Sequence, residues 1–391
     1  MYGIEVIEMK SKVAVVKCDS YDQEKVFEAI KEGIRLIGGL ETFIPNKAGK
    51  VLMKPNLLNK AKPEQAVTTH PVVFDGVIRL FKEAGYENLF YGDSPGNPLN
   101  PEKIAEACGI KQVGDKYGLK FGDFNNGKTV NYPEGKFVKQ FEISNAALEA
   151  DSIVNVCKMK THQLERITGG VKNLLGCVYG LNKGMSHARF PDGDSFGKML
   201  VDLNGCLKPK LHIMDGIEAM EGNGPFSGTP VLMKMLLFSN DPVALDSVFA
   251  RLINLNPEYV PTIKYGEEYG LGKYRDEDIE ILGENIELYK LMNFDVFRDE
   301  VKTKKWRNLA FARQLVLKKP VITEELCIRC GVCVEACPVE KALMFKSGKH
   351  LDPPIYDYNK CIRCYCCQEM CPEKAIVVKT PLLGKILIYK R

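Results

Sequence analysis

Eight cysteines carry the most specific chemistry in this chain. Cys327, Cys330 and Cys333 lead to Cys337-Pro338, and Cys361, Cys364 and Cys367 lead to Cys371-Pro372, so the spacing CxxCxxCxxxCP occurs twice, 34 residues apart. Three close thiolates and a fourth before proline are the spacing of bacterial two-cluster ferredoxins, in which the fourth cysteine of each run reaches the other cluster. Cys327, Cys330, Cys333 and Cys371 are therefore expected to hold one [4Fe-4S] cluster, and Cys361, Cys364, Cys367 and Cys337 a second. Disulfides or zinc are the alternatives, but zinc modules typically pair two CxxC halves and lack a third cysteine with CP twice over. Cys366 is out of register. It is expected to pack beside a cluster as an ordinary small thiol.

A second set of residues could bind a ligand. Lys54-Pro55-Asn56, Asp93-Ser94, the group Lys158, Lys160, Thr161 and His162, Asp215 leading to Glu218 and Glu221, and Asn240-Asp241 each close a strand-like run. In an open parallel sheet such ends converge on one crevice. Between Cys157 and His187, Lys158, Lys160, Lys172 and Lys183 accompany Gly169-Gly170 and Asn173. Glycine amides beside lysine charge suit an anion, a carboxylate or phosphate. Neither a P-loop nor a GxGxxG fingerprint occurs, which leaves a flavin lacking that fingerprint, or an additional metal, as further cofactors of the crevice. His70, His162 and His187 could donate protons near neutral pH, could ligate a metal with Asp215 or Glu218, or could be structural, as His70 before Pro71 would be at a helix start. The stretch from Asp215 to Pro225 reads as a glycine-punctuated acidic loop that closes over a ligand, holds a cation, or simply turns. Cys157 and Cys177 are expected in the core.

These groups need a scaffold, and the first 283 residues alternate β-branched runs with helical periods, the pattern of an α/β fold with a mostly parallel sheet and helices on both faces. Strands are expected at 12–18, 50–54, 88–91, 152–157, 211–214 and 231–238, and helices at 22–37, from His70-Pro71 to Gly85, 196–207 and 242–253. Residues 101–149 lose this rhythm and are expected to be an insertion with a β excursion at 128–143. Residues 284–320 read as a connecting segment with Lys302, Lys304, Lys305, Arg307, Arg313, Lys318 and Lys319, either a docking face for an acidic electron donor or the solvated side of a linker. Residues 321–391 are expected to form a small α+β ferredoxin-like domain with an apolar tail that packs back on the body rather than meeting a membrane.

At 391 residues the chain has room for these units. Its net charge of +4 is too small to imply nucleic acid as a partner. No apolar run reaches the roughly 18 residues of a membrane span, and the start MYGIEVIEMKSK carries no export signal. Five of the 14 cysteines lie scattered outside the ferredoxin runs, which speaks for a reducing compartment; oxygen-sensitive clusters suit a cytoplasm and anaerobic conditions.

Lys54-Pro55-Asn56, Thr68-Thr69-His70-Pro71, Gly92-Asp93-Ser94-Pro95-Gly96, Lys160-Thr161-His162, Lys172-Asn173 with Gly176, and Asp215-Gly216 through Gly224-Pro225 resemble the family called domain of unknown function 362. The whole chain looks like a member carrying a C-terminal ferredoxin module. The resemblance implies a site map without a settled reaction. Together these readings suggest an oxidoreductase in which electrons pass through two clusters to a small anionic substrate or bound cofactor, with an electron-donor or acceptor protein as partner. His162, His70, His187 and Lys172 would act on the ligand. Lys54, Asn56, Asp93, Ser94, Lys158, Lys160, Thr161, Gly169, Gly170, Asn173, Asp215 and Glu218 would hold it. The rival reading is a non-catalytic electron carrier, or a cofactor- or cluster-assembly protein, whose α/β domain binds a partner.

Overall fold

A computed structural model describes residues 10–96, 100–180, 182–300, 314–346, 350–387 and 389. Its strands are β1 (Ser11–Lys17), β2 (Val51–Lys54), β3 (Leu89–Tyr91), β4 (Lys120–Phe121), β5 (Gly127–Asn131), β6 (Gln140–Ser144), β7 (Ser152–His162), β8 (Arg166–Thr168), β9 (Leu211–Glu221), β10 (Thr229–Ser239), β11 (Ile279–Gly283), β12 (Lys319–Ile322), β13 (Leu343–Met344), β14 (Ile355–Tyr356) and β15 (Ile376–Lys379). Nine of them form one sheet in the order β11-β1-β10-β9-β7-β2-β3-β4, with β8 paired to β7. Its neighbours are mostly parallel; β10 runs antiparallel to both β1 and β9, and β8 antiparallel to β7.

Side chains alternate across a strand, so each central strand feeds two cores. Val154 and Val156 of β7 pack on one face with Val26, Ile30 and Ile34 of the helix Gln23–Ile37 and Val73, Phe74 and Val77 of the helix Pro71–Glu83. Ile153, Cys157 and Met159 pack on the other with Phe196, Met199 and Leu200 of the helix Gly193–Leu207 and Leu245 and Val248 of the helix Pro242–Leu252. The first helix starts where Asp22 accepts from the Lys25 amide and stops at Gly38, whose φ of 118° only glycine adopts readily. It lies so close to the sheet that a Cβ on Gly33 would sit 2.2 Å from the Phe238 ring. Gly33→Ala should therefore destabilise the fold by about 1–3 kcal/mol, read as a lower denaturation midpoint.

Several expectations are corrected. β7 continues through His162 and β9 through Glu221, because their apolar and polar residues keep alternating past the points where the first lysine and aspartate enter. Lys158, Lys160, Thr161, His162, Asp215 and Glu218 are therefore strand residues, and the acidic loop begins only after Glu221. The region 101–149 does not stand wholly apart. Its β4 joins the edge of the large sheet, while β5 and β6 form a separate hairpin. The connecting segment ends sooner than expected, since β12 begins at Lys319. Lys302, Lys304, Lys305, Arg307 and Arg313 lie outside the described residues. Lys318 sits over the Phe297 ring, against the body.

The chain leaves β2 towards β3 and β4 on one side, and later fills β7 and β9 on the other. That reversal between β2 and β7 is the topological switch point at which open sheets bind ligands. It is also a gap, for β2 stops at Lys54 while β7 pairs with it only as far as Asn155 and overshoots by seven residues.

The C-terminal part is a small α+β module of two antiparallel pairs, β12 with β15 and β13 with β14, and two short helices, Val332–Glu335 and Cys366–Met370. The two cysteine runs fold alike. Arg329 and Arg363 both take positive φ (59° and 67°), as do Gly331 and Tyr365 (84° and 66°). In the tail, the helix Leu382–Leu387 meets Val316 through Gly384, and Tyr389 stands edge-on to Phe297. Among the described residues no helix is long and apolar enough to cross a membrane.

Candidate functional site

Three residues of β7 two apart, Lys158, Lys160 and His162, point to one face of the strand. Only the last two approach the gap beyond β2. Lys160 donates from Nζ to the Asn56 side chain and the Val67 carbonyl, each at 2.6 Å. Lys158 instead bonds the Tyr21 hydroxyl and Asp215 at 2.8 Å, Asp215 accepts from the His70 amide, and the His70 ring stacks on Tyr21 at 3.5 Å. His70 Nδ1 caps its helix by accepting from the Val72 amide. His70, Lys158, Asp215 and Glu218 thus form a second, largely satisfied polar group beside the gap.

The gap itself is a cavity of about 90 Å³. The loops after β2 and β3 bring Asn56, Leu57 and the stretch from Asp93 to Gly96; Lys160, Thr168, Lys172 and Asn173 come from β7, β8 and the turn that follows; Lys183 and His187 come from the helix Asn182–Arg189. The remaining wall is Ala336, Cys366, Glu369 and Met370 of the C-terminal module. The site is therefore shared between the two parts of the chain.

Its electrostatics are unusual for groups so deeply placed. Lys54 and Asp93 form a buried ion pair at 2.9 Å, with the second Asp93 oxygen taken by the Leu57 amide. Burial lowers Lys160 and Lys183 to about 7, helped for Lys160 by the neighbouring Lys172. Among the described residues Lys183 has one long contact, 3.4 Å to the Pro95 carbonyl. The Lys172 ammonium has no hydrogen bond or ion pair among the described residues. His162 Nδ1 accepts from the Leu164 and Glu165 amides, which leaves the proton on Nε2, 3.0 Å from Glu369 Oε1. Burial favours the neutral acid of Glu369, but His162 and the Lys172 charge outweigh it and keep the carboxylate well below its usual range. Glu165, buried with both oxygens unpartnered, is pushed far up by desolvation.

The expectation that histidines would be the groups titrating near neutrality is corrected. Burial holds His70 and His162 at about 4, and His187, stacked on Phe196, at about 3. The two cavity-lining groups near 7 are lysines, Lys160 and Lys183; outside the cavity burial also lifts Asp246 to about 7. A pH dependence of stability follows. His162, His187 and His212, the last at about 3 through burial alone, stay neutral when folded but take up protons when unfolded below about 6.5. Their contribution should be level above that pH and fall as pH drops from about 6.5 towards 4, at up to about 1.4 kcal/mol per unit for each histidine. Asp246, raised to about 7 by burial, offsets one of them in that range, and the lowered Lys160 and Lys183 make total stability rise further above pH 7. Urea midpoints between pH 7.5 and 5 check this, and His212→Asn should make the slope shallower.

Two further expected ligand groups lie elsewhere. The Gly170 and Val171 amides donate to the buried Asp246 carboxylate at 2.6 and 3.1 Å, and a Cβ on Gly169 would run into it. Those amides already have an acceptor, the protein's own carboxyl group, which burial lifts to about 7. Asn240-Asp241 follows the antiparallel strand β10, at the opposite end of the strands from the cavity, where Asp241 caps its helix and accepts from Ser11. Thr161 faces the other side and donates to the Gly222 carbonyl at 3.2 Å. Glu221 accepts from the Asp295 amide. Cys157 and Cys177 are buried thiols, with Cys177 pushed up to about 12. Sequence reasoning missed Glu369 and undervalued Lys183. The first had no signal, being one more glutamate between cysteines.

In the module, the charges that act on Cys333 are those of Cys371, Cys330 and Cys327, whereas Cys361 and Cys364 act on both Cys337 and Cys367. The first four thiols line an apolar cavity with Ile322, Ile328, Pro354 and Ile376. None of the 14 cysteines is in a disulfide. Among the described residues no three His, Cys, Asp or Glu side chains are spaced to hold a single metal ion. The thiols thus fall into two sets of four, each drawing three from one run and one from the other. The sets differ in exposure: Cys330 is exposed, while Cys364 and Cys367 are buried.

A mostly parallel α/β sheet whose switch-point cavity is closed by an iron–sulfur module defines the class. The family described as "Domain of unknown function (DUF362)" matches residues 51–251, and the 4Fe-4S dicluster domain matches residues 319–375. A thylakoid-associated protein of Synechocystis is 33% identical over 264 residues, 67% of this chain and 81% of that protein. The chain belongs to the DUF362 family, in a form that carries a ferredoxin-type module. Among solved structures, the lactate racemase apoprotein from Thermoanaerobacterium thermosaccharolyticum aligns at 13% identity with a TM-score of 0.39, over 63% of this chain. The alignment spans 58% of that chain, less than two thirds of its length.

Proposed function

We propose that the protein is an iron–sulfur reductase acting on a small anionic substrate held in the switch-point cavity. Cys327, Cys330, Cys333 and Cys371 would hold an outer cluster, and Cys361, Cys364, Cys367 and Cys337 an inner one. The observation that carries the reading is the shared wall: the helix Cys366–Met370, which bears Cys367, lines the same cavity as Lys160, Lys172 and Lys183. When bound, [4Fe-4S] clusters supply low-potential one-electron transfer.

The chain's own groups supply the rest. Lys172 and Lys183 hold the anion, as their ammonium groups are otherwise poorly partnered, and Asn56 fixes Lys160. Lys160 and Lys183, at about 7, are the groups able to give and take a proton at neutral pH. Glu369 and His162 lock the module onto the sheet and balance Lys172. Leu57, Ala336 and Met370 keep water out. The cavity is far below the roughly 300–1,000 Å³ of pockets that bury larger ligands, which speaks for a small acid and against a flavin in this position. The exposed side at Cys330 suits an electron-donor protein, and a reducing cytoplasm suits free thiols. A plain carrier would have no use for unbalanced buried lysines.

The test uses anaerobically purified full-length protein reduced with dithionite. Recovery of the oxidised absorbance on adding small unsaturated acids supports the reading. Recovery with a protein oxidant alone would overturn it.

A further inference from the structure

The cavity's charges are not gathered at one point. Near Lys172 stand Lys160 and Glu369, together with histidines 162 and 187, which are neutral at pH 7, and Glu165, which burial drives towards its neutral form. Two ammonium groups face one carboxylate there, so this pole carries one uncompensated positive charge. Lys183 enters from a different wall, the helix Asn182–Arg189, and rests against the Pro95 carbonyl beside the Lys54–Asp93 pair, whose two charges neutralise each other. With Lys160 and Lys183 protonated, each pole therefore carries one positive charge. Both border the same cavity of about 90 Å³.

Buried charges persist only when matched, so the ligand should bring one negative charge to each pole. We propose, building on the substrate-site reading above, that the cavity takes a small dicarboxylate, with one carboxylate against Lys160 and Lys172 and the other against Lys183. A phosphomonoester places its charges on a single group; it would overfill one pole and leave the other bare. A monocarboxylate would satisfy one pole only. His187 Nδ1, buried and without a hydrogen-bond partner, adds a polar atom at the same wall. Lys183, lowered to about 7, would recover its proton when the second carboxylate arrives, so binding at pH 8 should take up protons.

The experiment is calorimetric titration of the anaerobically purified full-length protein with matched pairs, fumarate against crotonate and glutarate against valerate, and with inorganic phosphate. At least one dicarboxylate should bind about 10- to 100-fold tighter than its monocarboxylate, the factor expected of one charge-assisted contact. Titrations at pH 8 in two buffers of different ionisation enthalpy should show proton uptake. Lys183→Met and Lys183→Gln should collapse the preference towards one and reduce the uptake to the share taken by Lys160, with the visible spectrum of the protein unchanged. Equal binding within both pairs, tighter binding of phosphate, or a preference that survives both substitutions would overturn the proposal. If mono- and dicarboxylates bind alike, the small-anion reading stands without it. If no acid binds and none reoxidises the reduced protein, both fall.

Discussion

Lys172→Met is expected to lower kcat/KM for anion-dependent reoxidation of the reduced protein by about 10²–10³-fold, the loss typical when one preorganised donor to a developing or bound anion is removed. The reasoning rests on what Lys172 lacks. Its ammonium makes no hydrogen bond or ion pair with a described residue, yet its charge acts on Lys160, His162, Glu165, His187 and Glu369. Removing it costs the fold no hydrogen bond or ion pair with a described residue, while it strips the cavity of its least compensated cation. Methionine keeps much of the length and apolar stem, so the module should stay docked. Stopped-flow reoxidation, with the visible spectrum and iron content as controls, reads the effect. Unchanged kinetics would take Lys172 out of the site. Lys172→Arg should recover part of the rate, because the charge returns in a bulkier form.

Cys371→Ala should halve the iron of the protein, from about eight atoms per chain to about four, and the cluster that disappears should be the outer one. This is the stronger test of the crossed arrangement. Cys371 follows the second run in sequence, but the thiols around it are Cys327, Cys330 and Cys333 of the first. The inner set, with Cys337 as its visitor, has its other three thiols close to one another and should persist. Iron and sulfide analysis with electron paramagnetic resonance distinguishes the outcomes. Loss of the centre held by Cys361, Cys364 and Cys367 would mean that each run serves its own cluster.

The parts of this architecture legible in the sequence are those set by local spacing. The two cysteine runs of the 4Fe-4S dicluster domain announce themselves because each sets three thiols within seven residues, and β7 is visible because alternation is a property of neighbours. What stayed hidden depended on distant partners. Gly169-Gly170 reads as a cradle for a foreign anion, and nothing near it reveals that Asp246, 76 residues on, already sits there. Asp241 looks like one more strand end, but the direction of β10 in the sheet is fixed by pairing with β1 and β9 rather than by its own residues. The histidines were sound choices as polar groups and poor ones as acids, because burial, the term that moves them furthest, is tertiary. Glu369 was invisible for a different reason: Glu335 holds the corresponding place in the first run.

That last correspondence has a consequence for how the two copies should change over time. Glu335 lies exposed, while its counterpart is buried against His162. Where the two halves share a design, only one is answerable to a neighbour. Substitutions should accumulate freely at Glu335 and scarcely at all at Glu369, so that related chains, set side by side, would show one repeat drifting and the other held still by the surface it touches.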